Sequence, residues 1–125
     1  MSPKNYAKAL EKKDDISDEF NHFFEDWDVW ITPVAAIPAF KHQKAGKPFV
    51  VNGKKLPYTK AFTPYNFATV IMGHPVATIP IGQTANGLPV GIQIHSRRWD
   101  DRRLLQISKQ LESFTEGFQT PKMFQ

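Results

Sequence analysis

Apolar side chains recur at helical spacing in several places along the chain and alternate at strand spacing in others. Phe20, Phe23, Phe24 and Trp27 fall at i, i+3, i+4 and i+7, which sets four large rings on one helical face. Ser17 ahead of Asp18 and Glu19 reads as an N-cap with acids in the first turn, so a helix is expected to begin there. A weaker helical pattern, Tyr6, Ala9 and Leu10, runs from Pro3 to about Lys13, and Asp14-Asp15 is expected to break it. Thr63-Pro64 reads as a cap with proline at the first helical position. Phe67, Val70 and Ile71 supply that helix's face, and Gly73 stands where a C′ glycine belongs. A last helix starts at Asp100-Asp101 and carries Leu104, Ile107, Leu111 and Phe114.

The strands are short. Asp28 to Thr32 reads as a buried strand stopped by Pro33, and residues 33–47, with Pro33, Pro38 and Gly46, read as a loop. Phe49-Val50-Val51 and Lys55 to Tyr58 flank Asn52-Gly53, a pair that tolerates the positive φ values of a hairpin turn. Val76 to Ile79 is a strand with proline on either side. After a turn at Asn86-Gly87, Val90, Ile92 and Ile94 alternate with Gly91, Gln93 and His95. The order of elements makes an α/β chain, with Phe23, Phe67, Val70, Ile79 and Ile92 expected in its core.

Charge changes this picture more than composition does. Residues 1–60 carry ten basic and eight acidic side chains, residues 97–125 carry six and four, and Ala61 to Ser96 carries none. Pro64, Pro75, Pro80 and Pro89 interrupt that stretch, so it holds no apolar run of the roughly 20 residues a membrane span needs. A surface element would show charge on its outer face, so the segment is expected to be covered on both sides. Only a few helices within 125 residues could cover it, which suggests one segment of a larger fold. At 41% hydrophobic and 13% aromatic the chain can bury a core, which excludes global disorder. The absence of cysteine excludes a disulfide scaffold, a thiol nucleophile and a thiolate metal site. Met1 to Asn5 runs into charged residues without an apolar leader, so a soluble cytoplasmic chain is expected.

Candidate chemistry is sparse. His95 and Ser96 are neighbours on a strand and point to opposite faces, so they cannot form a nucleophile–base dyad. Asp18, His22 and Asp26 share a helical face where metal ligands could sit, but a solvated polar face opposite the phenylalanines explains them without a metal. Arg97, Arg98, Arg102 and Arg103 surround Trp99, yet Asp100 and Asp101 cancel much of that field. The cluster therefore reads as a charged helix start with local ion pairs, not a nucleic-acid site. Gly82 to Gly87 lacks the Lys-Ser/Thr of a phosphate loop, and His74 before Pro75 reads as a packed helix-exit residue.

The runs Gly73 to Gly82 and Gly87-Leu88-Pro89-Val90-Gly91-Ile92-Gln93-Ile94 resemble the closing portion of the amidase signature family. Asp28 to Pro33, Phe62 to Asn66 and Asp101 to Leu105 resemble further segments of the same family, so the likeness runs from about Tyr6 to Glu112. The resemblance implies a partial mixed β-sheet with flanking helices, residues 1–125 forming one segment of the C-terminal region. It implies amide C–N hydrolysis by a Ser–Ser–Lys triad that this chain does not hold, for there is no Ser-Ser pair and no Gly-Gly-Ser. The chain then completes the sheet and one wall of the substrate pocket, with Thr63, Tyr65 and Asn66 as substrate-binding residues and no catalytic residue of its own. Val70 stands where the family often has asparagine, five residues before the proline matched by Pro75. No cofactor, metal, nucleic acid or membrane is expected. The expected partners are a separate N-terminal amidase portion, or further copies in a homo-oligomer, and a small-molecule amide once the pocket is complete. The competing expectation is a non-catalytic, self-associating interaction or small-molecule-binding module derived from an amidase.

Overall fold

One helix replaces the two expected at the start of the chain. In the computed structural model, which describes residues 1–65 and 67–120, α1 runs without a break from Pro3 to Asp26. Its cap is Ser2, whose hydroxyl accepts from the Asn5 N–H at 3.3 Å, with Pro3 at the first helical position. Asp14-Asp15 does not stop it, because aspartate inside a helix costs only about 0.7 kcal/mol relative to alanine. Ser17 caps nothing; its hydroxyl donates back to the Lys13 carbonyl at 2.8 Å, the bond a mid-helix serine makes.

After α1 come β1 (Trp30–Pro33), the hairpin β2 (Phe49–Val51) and β3 (Lys54–Leu56), and the short helices α2 (Tyr58–Phe62) and α3 (Phe67–Met72). Strands β4 (Val76–Gln83) and β5 (Pro89–His95) and helix α4 (Asp101–Glu112) complete the order. The hairpin turns where expected, with Asn52 at φ 50° and Gly53 at φ 76°. A second small core holds it down: Phe49 lies 4.6 Å from Phe40 and 5.8 Å from Phe62, centroid to centroid. Thr63 closes α2, and its carbonyl also accepts the Phe67 N–H at 3.2 Å on the way into α3. Its N–H and hydroxyl both donate to the Thr59 carbonyl, at 2.9 and 2.8 Å, and α3 begins four residues later.

The main sheet has the order β1-β5-β4, and both of its ladders are antiparallel. Trp30 and Val76 both register with His95, and Ile31 and Ala77 both register with Ile94. Consecutive registers alternate between faces, so Ile94, Ile79 and Ala77 share one face and His95, Gln93 and Thr78 the other. On the first face α4 packs Leu104 against Ile79 and Ile94, flanked by Val29, Ala77, Ile92 and Leu111. Proline sits only where ladders tolerate it: Pro33 ends β1, Pro89 opens β5 and Pro80 stands at the bulge in β4. Side-chain bonds lock the layers. Arg103 pairs with Asp28, Arg97 Nη2 donates to the Phe24 carbonyl at 3.0 Å, and Thr115 Oγ1 donates to the Pro80 carbonyl at 3.1 Å.

The core differs from the expected one in three of five positions. Ile79 is buried and Ile92 half-buried, but Phe23, Phe67 and Val70 are 38%, 60% and 71% exposed. Phe24 is the buried ring of α1, and Thr69 and Met72 are buried in α3. Phe114 lies beyond the end of α4 and is exposed. Helical spacing identifies an apolar face, and these faces turn away from the chain's own sheet. Both outer edges of the sheet are likewise unpaired among the described residues. The charge-free segment is thus covered by α4 on one face and only in part on the other.

At the middle of the sheet the strands approach too closely for any side chain at Gly91. A Cβ built there would lie 2.9 Å from the Ile79 carbonyl oxygen and 3.6 Å from Thr78 Cγ2 and Val34 Cγ2. Gly91→Ala is therefore expected to lower stability by about 2 kcal/mol, the usual cost of overpacking where backbone must move. Chemical denaturation of both proteins checks it, and an unchanged midpoint would contradict the close approach.

Candidate functional site

Two features lie on the face of the sheet away from α4. The first is an open cleft of 740 Å3 between the chain segment after β1 and strands β4 and β5. Val34 to Ala39 form one wall, Phe62 one end, and Thr78, Pro80, Pro89 and Gly91 the sheet side, with Phe118 of the C-terminal tail at the rim. Its size is that of a small-molecule site, and among the described residues no charged side chain lines it. Such a wall selects by shape and desolvation; it gives no means of activating a nucleophile. Sequence reasoning reads residues 33–47 only as a loop. The signal it misses is the lack of charge from Pro33 to Phe40, a second charge-free run beside the longer one.

The second feature is a buried histidine pair beneath α1. His95 is 0% exposed and His74 6%, with buried Thr32 beside them. Thr32 Oγ1 and His95 Nε2 are hydrogen-bonded at 2.9 Å. Trp30 lies 5.1 Å from His95, and Phe24 and Phe20 lie 5.4 and 5.9 Å from His74, so aromatic rings close the pair from α1 and β1. His95 Nδ1, both ring nitrogens of His74 and Gln93 Oε1 have no hydrogen-bond partner among the described residues. Burial, and then the neighbouring His74, depress the His95 pKa to about 4. Burial, followed by the Arg98 charge, lowers that of His74. Both rings are neutral at pH 7. His74 is the packed helix-exit residue the sequence suggested. His95 is paired with Thr32 and not with Ser96, whose hydroxyl donates to the Arg97 carbonyl at 3.4 Å.

The residues assigned to substrate binding follow Phe62 of the cleft in sequence but are not among the residues that line it. Thr63 follows Phe62 directly, is exposed, and has its hydroxyl committed to Thr59. Tyr65 is half-buried in the link between α2 and α3, and Asn66 lies outside the described residues. Asp18, His22 and Asp26 are all exposed, with His22 Nδ1 3.5 Å from Glu25. Among the described residues no three metal-ligating side chains cluster. At the start of α4, Arg98 lies over the exposed Trp99 ring at 5.5 Å and Arg103 pairs with the distant Asp28; among the described residues Asp100 and Asp101 form no ion pair, so the local pairs expected there are not found. No helix among the described residues is long and apolar enough to cross a membrane.

An antiparallel sheet with both edges unpaired among the described residues, backed by one helix, is an α/β arrangement. Residues 1–105 match the Amidase family, and the chain belongs to it. It is 32% identical to a glutamyl-tRNA(Gln) amidotransferase subunit of Moraxella catarrhalis over 114 residues, covering 91% of this chain and 21% of that protein. The crystal structure of the corresponding subunit from Thermotoga maritima superposes with a TM-score of 0.72 at 27% identity, covering 89% of this chain and 23% of that one. The crystal structure of an amidase superposes with a TM-score of 0.78 at 20% identity, covering 92% and 26%, and carries the fold. The chain thus spans about a fifth of the curated relatives it matches and about a quarter of the solved structures.

Proposed function

We propose that residues 1–125 are one segment of the C-terminal region of an amidase-type hydrolase, working in the cytoplasm on amide C–N bonds. Their part is to complete the sheet and to shape one wall of the substrate pocket. The nucleophile and the groups that stabilise the oxyanion come from outside this chain. The observation that carries this reading is a three-stranded sheet with both edges unpaired among the described residues, in a chain matching about a fifth of its relatives' length. An open edge is stable when another strand pairs with it, and the rest of an amidase fold would supply such strands. Thr63, Tyr65 and Asn66 are assigned to the substrate-facing wall, next to Phe62 of the cleft.

The chain alone is expected to show no amide hydrolysis above background, and turnover only when an upstream amidase portion is supplied by co-expression. Turnover by the isolated chain would overturn the reading. So would a native mass of 14.3 kDa for the species carrying this sequence in its source cells, followed with an antibody to residues 41–60. The second reading, a non-catalytic module that covers its own apolar surface by self-association, is favoured by the exposure of Phe67, Val70 and Ile71 on α3.

A further inference from the structure

Helix α1 carries its charges in the order that least suits a helix on its own. Lys4, Lys8 and Lys12 occupy its N-terminal half, where Glu11 is the one acid on the same line, and Asp15, Glu19 and Asp26 its C-terminal half. The three lysines and Asp15, Glu19 and Asp26 fall at steps of three, four and seven, on one line along the helix, and all are exposed. The other side of α1 is the one that packs Phe20 and Phe24 onto His74. A helix favours acids at its N-terminus and bases at its C-terminus, yet α1 has no acid in its first turn and no base in its last. Among the described residues none of the six makes an ion pair, and residues 1–12 are exposed throughout.

An antiparallel helix with the same charge order reverses that disadvantage, and this chain carries such a helix itself. Laid against a second copy, Lys8 meets Glu19 and Lys12 meets Asp15. Both pairs centre on one point between Lys13 and Asp14, so a single twofold axis satisfies them and their symmetry mates together. The same axis sets Lys4 opposite Phe23, whose partly exposed ring the lysine stem can cover. The two helix dipoles are then opposed, the favourable arrangement. We propose that two copies of this chain pair antiparallel through this face of α1. Exposed ion pairs are individually weak, so the dimer is weak and sensitive to salt. The pairing does not depend on the amidase reading.

Sedimentation equilibrium of the full chain tests it. At low salt a dimer is expected, with the dissociation constant rising about tenfold or more in molar salt as the ion pairs are screened. The double variant Lys8→Glu with Lys12→Glu should be monomeric, and so should Asp15→Lys with Glu19→Lys. An equimolar mixture of the two variants restores every opposite-charge pair and should dimerise again. Circular dichroism confirms that each variant keeps α1. A monomeric wild type at low salt overturns the proposal. So does a dimer that survives either reversal, which would place association on α3 or a sheet edge, and so does a mixture that stays monomeric.

Discussion

Lowering the pH from 7 to 4 is expected to cost this fold about 3 kcal/mol through His95 alone. The ring is fully buried, its Nε2 is hydrogen-bonded to Thr32, and its pKa is held at about 4. In the unfolded chain a histidine titrates near 6.5. Between those values the unfolded state binds the proton and the folded state does not, so stability rises with pH. The contribution is complete above about pH 6.5, falls away as the pH drops towards 4, and changes no further below that. His74 acts in the same direction, its pKa lowered by burial and by the Arg98 charge. Urea unfolding at several pH values would measure the slope. The informative quantity is the difference from His95→Asn, which cannot take up the proton. The variant should be the less stable protein at pH 7 and lose less on acidification. Equal losses in the two proteins would mean that His95 is not held neutral by its surroundings.

How much of this is legible in the sequence depends on whether the deciding interaction is local. The hairpin at Asn52-Gly53 is, because two adjacent residues of permissive backbone set the turn by themselves. The end of α3 is as well: Gly73 adopts φ 69°, and the His74 N–H closes on the Thr69 carbonyl at 3.2 Å. Pattern alone splits α1 in two because two capping serines compete. Ser17 has acids after it, but Ser2 has the proline that begins a helix, and nothing in Asp14-Asp15 is costly enough to separate the two. Thr63-Pro64 misleads for a related reason. A threonine hydroxyl serves an exiting carbonyl as readily as an entering N–H, and here it serves Thr59.

The candidate site is less legible, because its walls come from segments far apart in the chain. The cleft joins Val34 to Ala39 with Gly91 and Phe118, and no local pattern links them. The histidine pair joins β5 to the exit of α3 through rings from α1 and β1. The misassigned core positions have a different origin. Phe23, Phe67 and Val70 lie on apolar faces correctly recognised as apolar, but this chain's own sheet does not reach them. Periodicity reports that a face is made to be covered and is silent on what covers it.

That distinction leads to a contrast between two substitutions of similar size. Ile94 is 0% exposed, at the centre of β5, against Leu104 and Ile79. Ile94→Ala is expected to destabilise the chain by about 3 kcal/mol, from lost burial and from a cavity that the flanking strands cannot collapse to fill. Ile94→Val, which removes one methylene, should cost about 1 kcal/mol. A domain of this size has a total stability of about 5–15 kcal/mol, so the alanine variant surrenders a large share of it. Phe67 is a larger side chain, yet at 60% exposed its replacement by alanine should change the stability of the isolated chain by no more than about 0.5 kcal/mol. Denaturant titration at low protein concentration measures both. If Phe67→Ala matches Ile94→Ala in this chain, the apolar face of α3 is covered after all, and concentration dependence of the midpoint would trace the cover to a second copy. If Phe67→Ala is silent in the isolated chain but costly once an upstream amidase portion is present, the face of α3 is where the rest of the enzyme docks.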